Sequence, residues 1–367
     1  MEFSVKDSFR TAIELASGGK NTVIYDNQGN PNIMVCIPKF DKSLLGLSAG
    51  IHGAFVLDDN HVAGEIWVSK YANGMGSGGV PVSMHGLYPE IEFGRFYHAK
   101  DLIKSKGSGW HIMSNIEWGA IAALSIKQGT EPYGFTYKCN NFKKYLCTKH
   151  KPFGSDETGW VNGQIAWNVM AGHSLNEFSH DGTADGIFDM VGNQWEMVDG
   201  LRIVGIGKGY TKYFGENGVP QNRFRDEKWT SGVWYLGHDG EGLCVDTCDG
   251  VRYADGTICR TDFESIRFFN GADKYKDALV ELAISPPCET KYGTLCKINT
   301  SYTKDEENHD CCVMRGGAAY YMDANKYDYS LYSMDLLSYT ETNVDFGPIN
   351  KMFPIKGVRA CYISDLY

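Results

Sequence analysis

Gly186 to Val204 reads GIFDMVGNQWEMVDGLRIV. A tight turn at Gly192 turns successive backbone carbonyls inward, so those of Gly192 and Gln194 can converge with the carboxylates of Asp189 and Glu196 on a hard cation. The plainer reading is a turn packed by Trp195, and composition alone favours it.

Upstream, GWHIMSNIEWGAIAALSIKQG (Gly109 to Gly129) carries a clear helix signal. Ser114 and Glu117 have capping-box spacing, Ile116, Ala120, Ile121 and Leu124 trace one apolar face, and Gly129 ends it. Nearer the N-terminus, Ser4 to Ser17 places Phe9, Ala12, Ile13 and Ala16 at helical spacing before Gly18-Gly19, predicting a short amphipathic helix over residues 1–20. NTVIYDNQGNPNIMVCIPKF then predicts two strands around a turn at residues 27–31. GAFVLDDNHVAGEIWVSKYAN repeats that pattern, with Asp58-Asp59-Asn60 as its turn. Residues from about 205 to 310 alternate strand-like runs with polar loops, and the whole of 21–367 is read as one domain with an insertion there.

The 43 Gly against 11 Pro in 367 residues point to many tight turns between short elements rather than long helices, hence a β-rich or loop-rich chain; taken with the motifs below, the expected fold is irregular α+β with few helices and long loops. A net charge of -10 with no clustered Lys and Arg argues against a nucleic-acid partner. No apolar run is long enough to span a bilayer, and the charged N-terminal stretch lacks the apolar core of a signal peptide. Synthesis in the cytoplasm is therefore expected, with a place of action on a virion or a cell surface left open. The 11 Cys follow no framework spacing and are expected to be mostly reduced. Cys244, Cys248, Cys259 and His238 lack zinc-finger spacing, and buried thiols are the better reading. GMGSGG (Gly74 to Gly79) matches a dinucleotide-binding pattern, but Pro81 stands where that motif needs a helix, so a loop is expected. The metalloprotease, P-loop and nucleophile-elbow motifs are absent from the sequence.

Arg315 to Tyr339 reads RGGAAYYMDANKYDYSLYSMDLLSY, too polar for a core strand and too aromatic for a solvent loop. Tyr offers a large amphipathic contact area with few rotors to freeze, while Ser, Asp and Asn supply adaptable hydrogen bonds, the composition of a paratope. Tyr320, Tyr321, Tyr327, Tyr329 and Tyr332 are the expected anchors, with Ala318, Ala319, Asp323, Asn325, Asp328, Ser333 and Asp335 around them. For Tyr321 and Tyr332 the competing reading is packing into the fold. Arg315, Gly316, Gly317, Gly357 and Arg359 are assigned to scaffolding, the arginines tying loops together by bidentate hydrogen bonds.

Four stretches occur in an order that resembles the formylglycine-generating-enzyme branch of the C-type lectin fold: GWHIMSNIEWGAIA, GIFDMVGNQWEMVDGLRIV, VMRGG (Val313 to Gly317) and IKGVRACY (Ile355 to Tyr362). Within that branch the chain looks most like the variable proteins of diversity-generating retroelements. The positions of the oxidase's catalytic cysteine pair fall on Tyr321 and Asn325, so the resemblance implies a binding protein without that chemistry. In such retroelements template adenines are randomised, and Asn codons then yield Tyr, Asp, Ser, Ala, Asn and similar residues but never Lys, Met, Trp, Glu or Gln. From Ala318 to Ser338 only Met322, Lys326 and Met334 are unreachable in this way, and they are expected as fixed positions of a variable region at about 313–362.

The resemblance also implies a structural calcium ion at Asp189, Gly192, Gln194 and Glu196, with no catalytic cofactor. The expected partner is a protein or cell-surface ligand, as for phage receptor-binding or surface-display modules, and self-association of the chain is left open. Two rivals stand beside this reading. One is a metal-dependent oxidase of the same fold using His and Cys outside the usual motif; the other is a structural tail or adhesin subunit.

Overall fold

The computed structural model describes residues 5–57, 60–89, 96–134, 150–152, 160–161, 164–165, 167–204, 208–211, 234–238, 243–247, 259–261, 266–288, 294–296, 310–317, 332, 334–338 and 356–364. The architecture is α+β, with few helices and several sheets. Shorter strands are named below by their residues.

Helix α1 (Val5–Ser17) ends where Gly18 and Gly19 take positive φ and Gly19 N–H returns to the Glu14 carbonyl. Phe9 and Ile13 pack on a cluster built from Val23, Ile33, Tyr71, Phe178 and Phe188. Ala12 and Ala16 are exposed, so the face that docks is narrower than the spacing predicts. The helix lies on β1 (Asn21–Tyr25), with Arg10 donating to the Val23 carbonyl.

β1 and β2 (Pro31–Pro38) form the expected antiparallel pair. Asp26 organises their turn by accepting the N–H groups of Gln28 and Asn30, and Gly29 supplies the positive φ. The second predicted hairpin is reduced to a single bridge, Val56 with Val62. Gly53–Phe55 instead forms a 3-10 turn capped by the His52 ring, because Ala54 and Phe55 are drawn into the core beneath it. Asp58 and Asp59 lie outside the described residues. Gly74–Met75 is a short strand that Ser77–Gly79 turns back onto Pro81–Val82, with no helix after the turn, as Pro81 dictates.

β3 (Glu65–Ser69) pairs with β2, and helix α2 (Phe96–Lys104) leads to β4 (Trp110–Ile112). Helix α3 (Asn115–Lys127) has the predicted capping box: Ser114 Oγ accepts the Glu117 N–H while the Glu117 carboxylate accepts the Ser114 N–H. It is not one-faced, however. Every residue from Asn115 to Ala123 is buried and Leu124 only half so, because neighbours press on it from several sides. One of these is α4 (Lys276–Glu281), whose end comes so near that a Cβ on Gly119 would lie 2.0 Å from the Glu281 carbonyl oxygen.

The larger sheet centres on β5 (Trp195–Val204). β6 (Asp310–Arg315) pairs antiparallel with one side of β5, and β7 (Met334–Ser338) with the far side of β6. β8 (Lys356–Val358) runs parallel to the start of β5. A register shift between Val198 and Arg202 bulges β5, and Asp199 there bridges to Ser114 at the start of α3. β9 (Ala360–Tyr362) slots between β3 and β4, so chain segments far apart in sequence share one five-stranded sheet. Among the described residues no helix is long and apolar enough to cross a membrane.

Candidate functional site

The four quoted motifs meet around two buried arginines. Arg359, between β8 and β9, is fully buried and forks onto Glu196 of β5, with Nε to Oε2 at 2.8 Å and Nη2 to Oε1 at 2.5 Å. It also donates to the carbonyls of Ser69 and Phe188, drawing β3 and the 186–195 turn to the same point. A planar fork with several donors suits this task, and the pair neutralises two charges that neither partner could bury alone.

Arg315, at the end of β6, is equally buried but held by amide oxygens: Asn115 Oδ1 at 2.8 Å and the carbonyls of Leu282 and Ala283 at 2.8 and 2.9 Å. Those two carbonyls close α4, where the helix dipole favours a cation. Asn115 donates to the same Leu282 carbonyl, so the start of α3, the end of α4 and β6 are pinned together. Gly316 follows with φ 87° and its carbonyl accepts from Gly192 N–H; a Cβ there would lie 2.3 Å from the Met190 carbonyl oxygen. The scaffolding role assigned to these arginines and to Gly316 matches these contacts.

The residues of the predicted cation site already hold contacts within the protein. Glu196 commits both carboxylate oxygens to Arg359, and the Gly192 carbonyl accepts the Gln194 N–H at 2.7 Å. The Gln194 amide is buried without a hydrogen bond and lies against Gly357, where a Cβ would be 1.8 Å from Nε2. Asp189 is buried at φ 60°, takes a hydrogen bond from Ser174 on Oδ1, and has no hydrogen bond on Oδ2. Calcium asks for six to eight oxygens, about as many as an ion of its size can touch. A guanidinium beside the set and a carboxylate already spent on it do not fit that ion.

Burial drives the Asp189 carboxyl up to about 6, against the pull of the Ser174 hydrogen bond and the Arg359 charge. Near it lies Tyr71, whose hydroxyl burial pushes up to about 12, with the Asp189 charge adding to the rise. Tyr71 touches His85 edge-on, and His85 lies against His173 with ring centroids 4.7 Å apart. Gly172 lets these rings close, since a Cβ there would fall 2.6 Å from Tyr71. None of this was legible in the sequence, because Tyr71, His85 and His173 come from three separate loops.

Of the predicted ligand-binding residues, Ala318, Ala319, Tyr320, Tyr321, Asp323, Asn325, Tyr327, Asp328, Tyr329 and Ser333 lie outside the described residues. Asp335 lies in β7, paired with Met314 of β6. Tyr332 is a correction: it is 2 % exposed and belongs to the main core, so it is a packing residue and not a contact for a ligand. Burial raises its hydroxyl well above the usual range, and the nearby Arg315 charge offsets part of that rise. The reason is positional: Tyr332 lies two residues before β7, at the root of the segment that leaves β6 after Arg315. Cys244 is a buried thiol as expected, while Cys248 lies outside the described residues. No protein-family model matches this chain, and no curated protein matches it either.

Proposed function

We propose that this chain is a ligand-binding protein of the C-type-lectin type, formylglycine-generating-enzyme branch, that presents its Tyr-rich segment to a macromolecular target. One observation carries the reading: β6 and β7 are antiparallel neighbours with Arg315 opposite Met334, so the Tyr-rich segment leaves and re-enters the sheet at one place. Arg315 and Tyr332, both in the core, fix the two ends. Such a closed root lets the residues between change without disturbing the sheet, the arrangement by which binding loops vary on a rigid scaffold. Met334, one of the positions unreachable by adenine randomisation, falls in β7, on the scaffold side of the boundary. The meeting of the four motifs around Arg315 and Arg359 supports the fold assignment.

Sequencing the DNA around the gene tests diversification. A near-copy of the stretch encoding residues 313–362, differing at adenines and accompanied by a reverse-transcriptase gene, is the expected result. On the protein, replacing Tyr320, Tyr327 and Tyr329 together by Ala is expected to leave the melting temperature almost unchanged and to abolish target binding. Tyr332→Ala is expected to cost about 3–5 kcal/mol, as for other buried aromatics. If the triple variant unfolds as readily as Tyr332→Ala, those tyrosines are core and the display reading fails. Sedimentation of the triple variant separates the tail-subunit rival, in which loss of the tyrosines dissociates an assembly.

A further inference from the structure

We propose that His111, Glu117 and Cys361 form a buried site for a divalent transition-metal ion of zinc-like chemistry. The imidazole nitrogen, carboxylate oxygen and thiol sulfur that would bind it all lie within 4.8 Å of one another, and all three residues are buried. They come from three elements. His111 and Cys361 are direct partners across β4 and β9, which puts their side chains on the same face of the sheet. Glu117 reaches them from the first turn of α3.

The surroundings already orient each donor. His111 Nδ1 lies 3.1 Å from the Gly109 carbonyl, which fixes the proton on Nδ1 and turns the Nε2 lone pair toward the cluster. Glu117 Oε2 accepts from the backbone and hydroxyl of Ser114, both at 2.7 Å, leaving Oε1 facing Nε2 at 2.8 Å. A zinc ion with bonds of about 2.0–2.3 Å places neighbouring ligand atoms roughly 3.3–3.6 Å apart, so the nitrogen and oxygen need to separate by less than about 1 Å. A mixed nitrogen, sulfur and oxygen set selects a borderline ion over calcium or magnesium. One thiolate, one carboxylate and a neutral imidazole cancel the charge of the ion, and binding releases two protons: one held between Nε2 and Oε1, the other from the thiol. Three protein ligands leave the fourth tetrahedral position to a small exogenous ligand, and the ion would tie β9 to the cap of α3. The inference does not rest on the display reading.

The test uses chelator-treated full-length protein titrated with cobalt(II). The expected result is a thiolate-to-cobalt charge-transfer band that saturates at one equivalent, is bleached by zinc(II), survives in Cys36→Ser and disappears in Cys361→Ser. Absence of the band in the parent protein, or its persistence in folded Cys361→Ser, overturns the proposal. Should Cys361→Ser not fold, alkylation of the parent in mild denaturant decides, with the labelled peptide identified by mass. Zinc(II) is expected to slow labelling of Cys361 at least tenfold, and an unchanged rate overturns the site.

Discussion

Arg315 and Arg359 are equally buried, come from motifs of similar appearance, and do different things. Arg359 meets a carboxylate, so its corner is a charge pair that also gathers the carbonyls of Ser69 and Phe188. Arg315 spends its donors on Asn115 and on the two carbonyls that end α4, where it serves as a helix cap supplied from a distant strand. The comparison teaches that an arginine after a β-strand announces a hub without saying whether charge neutralisation or backbone satisfaction holds it.

The largest effect should break the charge pair. Arg359→Ala leaves Glu196 ionised and buried without its partner, and is expected to cost about 3–5 kcal/mol in urea unfolding. Pairing it with Glu196→Gln should recover part of that loss, since the double variant leaves no charge stranded; a double-variant loss equal to the sum of the two single losses would mean that the pair carries no coupling.

The next largest effect concerns Asp189, which shares the Arg359 corner. Its carboxyl stands at about 6 in the folded protein against 3.8 when free, so the neutral form is the one the fold favours. A raised value means stability fully present below pH 3.8 and lost as pH rises through about 6, a change of about 3 kcal/mol. Asp189→Asn stays neutral, keeps an oxygen for Ser174, and suits the left-handed backbone at φ 60°. Stability of the variant relative to the parent is therefore expected to improve by about 2 kcal/mol between pH 4 and pH 7. Because both proteins share every other titrating group, a difference that does not vary with pH would show that Asp189 is ionised throughout.

Arg315→Met tests the other corner. It strands the Leu282 and Ala283 carbonyls, and a loss of about 2 kcal/mol is expected. Hydrogen exchange should localise the opening to α4 and the start of α3; a loss as large as that of Arg359→Ala would erase the distinction between the two hubs. The smallest effect is expected at Gln194, whose buried amide makes no hydrogen bond. Gln194→Met should change stability by less than about 1 kcal/mol, and calcium should not raise the melting temperature of parent or variant. A calcium-dependent rise in the parent would restore the cation site.

Much of the local structure could be read directly. The capping box at Ser114 and Glu117, the glycine stops after Ser17 and Gln128, and the turn between β1 and β2 are where the spacing puts them. Each depends on residues within about four positions, where backbone geometry alone fixes who meets whom. The second hairpin is reduced to a bridge because Gly53–Phe55 coils into a 3-10 turn with Ala54 and Phe55 buried, a placement set by what lies beneath them. The site fared similarly. The scaffold glycines and arginines were legible as types, while Asn115 as the acceptor for Arg315 and Ser174 as the donor to Asp189 carried no local signal.

By itself, then, the sequence determined the α+β class, the caps and turns, and the separation of a Tyr-rich segment from its framing motifs. Tertiary structure alone decided that Glu196 pairs with Arg359, that Tyr332 packs inward, and that Cys361 faces His111 beside Glu117. Those outcomes depend on strand register and burial among residues far apart in the chain, and a one-residue slip in β9 would have turned Cys361 to the opposite face.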